Sequence, residues 1–388
     1  MATGVGSRRF QPANIAQRKP MDIWVFIFTL ALVVVGLWMV YDTSYVKSFD
    51  ELKVTSNSWK PIAKQASLGA LGGMFALLFC WQFGYWRLRR FAIPAIIVGG
   101  ILLIAVYIPG IGLNINGASR WIRPGIQPSE FAKFILIVYM ARLFSRKDKE
   151  VGDFAEFVVP PIAVMMGYVA LIAKQPDLGT AFVMFLTGIT IFVVSPAKKR
   201  HLIAVISVLL ALALTVILLS SHGKGRILAF MHPEQFKETY GYQVKHSRWA
   251  VGSGEVVGVG LGQGREKYYL PQQDSDFIFA TIAEETGFVG SIVVISLILG
   301  LGLRGLTIAS RTQDPFGRIL AVGFSALILW QAFINIAVAT IMIPATGVPL
   351  PFISNGASAL IVMMASSGVL LSIAQHPLPP SKRRKEQA

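Results

Sequence analysis

The sequence predicts an all-α protein that crosses a membrane ten times. Three observations carry this. Hydrophobic residues make up 54% of the 388 positions and charged residues only 14%, with a mean hydropathy of +0.59. The apolar residues gather into ten runs of 17–25 residues, and some 20 apolar residues span a hydrocarbon core about 30 Å thick. The basic residues between the runs are unevenly shared between the two sides.

The runs follow in order. The first, 23–41, comes after a polar, basic tail (1–21). It is too long for a cleavable signal and is followed by no small-residue cleavage site. The second, 65–85, holds Cys80, the single cysteine, so an internal disulfide and a cysteine metal site are both excluded. The third is 91–107. The fourth, 128–144, carries Lys133 and Arg142 near its ends, where long side chains snorkel. Runs 157–173 and 178–194 are joined by AKQPDLGTA, and 202–220 follows SPAKKR. A long segment without a clean span, 221–285, precedes 286–303, 319–343 and 355–374. A membrane domain over 22–375 thus lies between the first tail and a basic second one, 376–388.

Ten spans put both termini on one side. The segments on that side carry 21 basic residues against seven acids, a net of +14; the other side carries 15 against 13, a net of +2. This positive-inside bias makes the termini cytoplasmic, so the net charge of +16 reflects topology rather than a nucleic-acid surface. The inner loops YWRLRR, SRKDKE and SPAKKR are plain connectors. The unusual sequences all face outward, and chemistry is expected there. The five histidines show no metal-ligand spacing.

Four outer constellations stand out. NGASRWIRPGIQPSEFAK combines Arg120, Trp121, Arg123, Glu130 and Lys133. Pro128 suits a helix start, and Glu130 and Lys133 share a helix face: either a local ion pair or a cationic rim for an anionic headgroup. In AKQPDLGTA, Asp177 reads as an N-cap, with Lys174 beside it. In 221–285, Lys224, Arg226, Lys245, Arg248, Arg265 and Lys267 fit either a solvated face or a pyrophosphate site. The glycines there include a GxGxxG-like spacing but no βαβ unit; they allow close loop packing or movement. IPATGVPLPFISNGAS, with Pro349, Pro351 and Gly356, is a broken backbone of the kind tolerated at membrane depth only beside protein or a cavity.

The segment YYLPQQDSDFIFATIAEETG brings Asp274, Asp276, Glu284 and Glu285 to the edge of an apolar run. With a helix starting at Asp276, Glu284 lies roughly 12 Å deeper, too far to share a proton. One acid is then at a cavity mouth, and the deeper two fix the helix. A single carboxylate at such a boundary can serve as general base on an alcohol. Cations, a membrane cavity and a lone carboxylate, without any nucleotide motif, point to sugar transfer from a lipid-pyrophosphate donor. A transporter of lipid-linked sugars fits the same features, and a non-catalytic scaffold is a third reading.

The blocks NGASRWI, QPSEFAK, QPDLGTA, GYQ, GSG…GVGLG, YLP…DFIFATIAEETG and PATGVPLPFIS occur in the order of the SEDS family of FtsW, RodA and SpoVE, which the chain resembles over nearly its whole length. The wording is closer to the FtsW and SpoVE branch. The resemblance implies ten transmembrane helices in the bacterial cytoplasmic membrane and polymerisation of glycan strands from lipid II at the outer face, in division or elongation. It implies a class B penicillin-binding protein and other divisome or elongasome proteins as partners, and no nucleic acid. It places the essential acid on Asp276, and substrate contacts on Trp121, Gln127, Ser129, Glu130, Lys133, Asp177, Arg226, Lys267 and Ser354. Glu284, Glu285, Pro349, Pro351 and Gly356 are expected as supports. The sequence departs from the family pattern at Gln272 (usually Glu), Asp274 (usually His), Asn355 and Ala357. Paired carboxylates at Asp274 and Asp276 suggest a raised pKa or a divalent-cation site for Mg or Mn.

Overall fold

The computed structural model describes residues 20–50, 65–115, 118–122, 125–145, 158–196, 221–236, 240–271 and 273–375, with isolated positions 63, 203 and 207. Residues 1–19 of the first tail, all of the second, nearly all of the run 202–220, Arg123 and Gln272 lie outside these residues. Among the described residues, nine of the ten expected runs fall on helices. Six helices are long and apolar enough to cross a membrane, and two shorter apolar ones accompany them.

Helix α1 (Ile23–Asp50) is capped by Asp22, whose carboxylate accepts from the Val25 amide at 3.3 Å. A π-helical stretch, Gln65–Leu71, leads into α2 (Gly72–Phe83), and Gly84 with φ +86° turns the chain into α3 (Tyr85–Ala105). Then comes an unexpected element. Strands β1 (Gly112–Ile115) and β2 (Ala118–Ile122) form an antiparallel hairpin, so among the described residues the regular secondary structure is helical apart from this ribbon. Helices α4 (Pro128–Phe144), α5 (Val159–Lys174) and α6 (Leu178–Val194) follow. The segment 221–285 is partly helical, with α7 (Ser221–Met231) and α8 (Tyr240–Ser253). The chain closes with α9 (Ile278–Arg311), α10 (Pro315–Ala339) and α11 (Ala357–Gln375).

The core runs along α4, α10 and α11, which are buried on most sides, whereas α2 turns Phe75 and Phe79 outward. Small residues let helices approach closely where apolar burial between helices offers little drive. A Cβ on Gly368 of α11 would sit 2.3 Å from the Leu77 carbonyl oxygen of α2. The helix ends sort the charges. Pairs such as Arg304–Asp22 (2.8 Å) and Arg142–Arg89 carbonyl (2.9 Å) lie at the end of the bundle opposite the start of α9.

Helix α9 is longer than the expected 286–303 and kinks at Gly287 (φ 66°, ψ −162°). The broken helix bonds are replaced by the glycine-rich loop before it. Val259 and Gly260 amides donate to the Glu284 and Glu285 carbonyls (3.0 and 3.1 Å). The Phe288 and Val289 amides donate to the Glu255 and Val256 carbonyls (3.0 and 3.1 Å). Such re-satisfaction is what permits irregular backbone beside a membrane span. Gly258, at φ +81°, is required there, since its Cβ would lie 2.2 Å from the Glu285 carbonyl oxygen.

Candidate active site at the outer mouth

Asp276 precedes α9, in a turn rather than on the helix, because helical geometry begins at Ile278 with Phe277 as its cap. The turn is tied to the opposite wall, the broken segment 340–356. Asn335 on α10 donates to the Asp276 carbonyl at 2.9 Å and to the Val348 carbonyl at 2.7 Å. The Ser354 hydroxyl donates to the Ser275 carbonyl at 2.6 Å and accepts from the Leu350 amide at 2.7 Å. Gly347, at φ +81°, adopts a backbone conformation that favours glycine, and it lies beside the carboxylate, its Cα position placing a Cβ 3.6 Å from Asp276 Oδ2.

Two arginines act on Asp276 from separate elements. Arg226 of α7 is anchored by a 3.1 Å bond from Nη1 to the Thr346 carbonyl. Arg120 of β2 donates to the Gln175 carbonyl at 3.3 Å and to the Pro176 carbonyl, and it approaches Asp177 at 3.9 Å. The hairpin therefore explains itself: it carries Arg120 to the end of α5. Asp177 caps α6 through the Thr180 amide (3.3 Å), and Gln127 links it to Ser129, at 3.5 and 3.2 Å. Burial pushes the Asp276 carboxyl up to about 6. Arg226 and Arg120 pull against that shift, while Asp177 and Asp274 add to it. A carboxylate near 6 is a competent general base at neutral pH.

The other expected site residues divide. Trp121 sits on β2, paired with Leu113, and is partly exposed. Lys133 and Glu130 are buried in α4, joined at 2.9 Å; Lys133 also donates to Gln331 Oε1 at 2.7 Å. Gln331 in turn donates to the Pro349 carbonyl at 3.0 Å. Lys133 is thus linked through Gln331 to the broken segment. Pro351 lies in that segment with Leu350 and Phe352, all buried. Gly356 donates its amide to Gln65 at 3.1 Å, and Ser354, expected at the substrate, is buried in the hydrogen bonds above. Lys267, also expected there, lies in a separate buried cluster, 2.7 Å from both Asp42 and Glu285. Glu284 and Glu285 clamp the loop before α9. Glu284 accepts from the Arg265 and Glu266 amides (2.7 and 3.0 Å), and Glu285 from those of Gly262 and Gly264 (3.1 and 3.3 Å).

Gln331 and Asn335 were not anticipated. Their signal was present, as two amides four residues apart in an apolar run share a helix face, and polar groups inside a span mark functional positions. At the Asp274–Asp276 pair, Asp274 Oδ2 accepts from the Asn355 side-chain amide at 2.9 Å, and no group of three or more His, Cys, Asp or Glu that could hold a metal ion occurs among the described residues.

Comparison with known proteins covers most of the chain. The FtsW/RodA/SpoVE model, described as cell cycle protein, matches residues 23–377. A probable peptidoglycan glycosyltransferase FtsW from Geobacter metallireducens is 35% identical, over 93% of this chain and 96% of that protein. Stage V sporulation protein E from Bacillus subtilis is 36% identical, over 92% and 97%. Among solved structures, a chain from a peptidoglycan synthase complex that coordinates polymerization and crosslinking superposes with a TM-score of 0.72 at 25% identity, covering 91% and 97% of the two chains. Thermus thermophilus RodA gives 0.65 at 26% identity, covering 91% and 96%.

Proposed function

The chain belongs to the FtsW/RodA/SpoVE family of cell cycle proteins, and from that premise we propose that it is a peptidoglycan glycosyltransferase polymerising lipid II at the outer face of the cytoplasmic membrane. The carrying observation is the acid Asp276, its carboxyl raised to about 6 by burial and drawn on by Arg226 and Arg120, in a turn tied to the broken segment 340–356.

The acceptor sugar hydroxyl attacks the anomeric carbon of the lipid-pyrophosphate donor. Asp276 takes the hydroxyl proton as the new C–O bond forms. The bond from the anomeric carbon to pyrophosphate breaks, and the lipid pyrophosphate leaves with that electron pair. Arg226 and Arg120 meet the charge that gathers on the leaving group, the kind of preorganised stabilisation that lowers transition-state energy most.

Ten spans with both termini in the cytoplasm fit the placement of the Arg304–Asp22 pair at the far end from Asp276. A class B penicillin-binding protein is the expected partner, with other division or elongation proteins around it. Likeness to FtsW and stage V sporulation relatives favours the division branch.

The test is the pH dependence of glycan polymerisation. A base must be ionised, so the rate is expected to rise with pH through about 6 and then level off. A rate that is flat from pH 5 to 8, with substrate saturating, would count against Asp276 as base.

A further inference from the structure

The carbonyls of three consecutive residues, 274, 275 and 276, are each held by a different group. Asn335 holds the third and Ser354 the second. The first is held by the main-chain amide of Asn355, at 2.8 Å. Asn355 grips the same residue twice, because its side-chain amide also donates to Asp274 Oδ2 at 2.9 Å. Gln65 brackets Asn355 on both sides, donating to the Ser354 carbonyl at 3.3 Å and accepting from the Gly356 amide at 3.1 Å. Two of the four positions at which the sequence departs from the family pattern, Asp274 and Asn355, are therefore one contact.

We propose that Asn355 and Asp274 act as a matched positioning pair for Asp276, fixing the turn that aims its carboxylate into the mouth. The proposal rests on the reading of Asp276 as general base. The pair's chemistry is a charge-assisted hydrogen bond, stronger than a neutral one, between the start of α11 and the turn before α9. Neither side chain touches substrate. Together they set where the base sits, and displacements of about 1 Å at a reacting group cost around 100-fold in rate.

The test reverses the pair. Asn355→Asp sets two carboxylates against each other, and the rate of polymerisation at saturating lipid II is expected to fall by about 10–100-fold. KM is expected to change by no more than roughly twofold, because substrate contacts are untouched. Combining Asn355→Asp with Asp274→Asn restores one carboxylate and one amide with exchanged places, and most of the rate is expected to return. Asp274→Asn alone also removes one negative charge from the surroundings of Asp276, which retains Arg226, Arg120 and Asp177. Its acid limb is therefore expected to move to lower pH. Asn355→Asp at the wild-type rate, or a double variant as slow as Asn355→Asp, overturns the positioning role alone. A wild type that makes no polymer with its partner overturns the polymerase reading, and the positioning role with it.

Discussion

Asp276→Asn is expected to lower glycan polymerisation by about 10²–10⁴-fold, the range supplied by a positioned general base, while the protein folds as before. The substitution keeps the size of the side chain and leaves the turn's anchors in place. Asn335 and Ser354 hold main-chain carbonyls that the change does not touch. Removing a buried carboxylate also removes its desolvation cost, so melting in detergent should be unchanged or slightly raised. Comparing the rates and melting curves of the two purified proteins checks both halves. A variant that keeps its rate would show that Asp276 does not carry the proton.

Lys267→Met is expected to destabilise the protein by about 3–5 kcal/mol, because taking one partner from a buried ion cluster strands the others. Lys267 is 2% exposed and Glu285 1%, and the ammonium lies 2.7 Å from both Asp42 and Glu285. Without it, two acids face each other between α1 and α9. The loop that Glu285 clamps through Gly262 and Gly264 should loosen with them. Adding Asp42→Asn to Lys267→Met should recover part of the loss, since one of the stranded charges is gone. Melting in detergent measures all three proteins. A Lys267→Met protein that melts like wild type but binds lipid II poorly would return Lys267 to the substrate.

Much of the architecture was legible because the bilayer imposes length and charge rules on sequence. The runs 128–144 and 178–194 coincide with α4 and α6, where Pro128 and the Asp177 cap mark the boundaries. The apolar cores 286–303 and 319–343 begin inside α9 and α10, and the helix expected from Asp276 begins at Ile278. Glu284 and Glu285 look like the edge of a span, but loop amides satisfy them inside the helix. Asp314 accepts from the Gly317 amide at 3.0 Å, and Pro315 opens α10 ahead of the apolar run. The hairpin was missed because strands of four and five residues carry too little alternation to be read.

The site was half legible for a related reason. Asp276 and Arg226 stand out as charges in outer segments, and both reach the mouth. Lys133 and Lys267 stand out equally, yet each is neutralised within the fold by a partner that sequence spacing could not reveal in full. Glu130 lies three residues from Lys133, but Gln331 is 198 residues away. Asp42 is 225 residues from Lys267. Long-range pairing decides whether a lysine supports the fold or meets a ligand.

Sidedness of the reaction tests the central claim most directly. The protein, with its transpeptidase partner, is placed in proteoliposomes in one orientation, and lipid II is supplied to one leaflet at a time. Glycan polymer is expected only when lipid II occupies the leaflet that the Asp276 mouth faces. Polymer from the opposite leaflet alone, or lipid II crossing the bilayer with no polymer made, would contradict a polymerase working at that mouth.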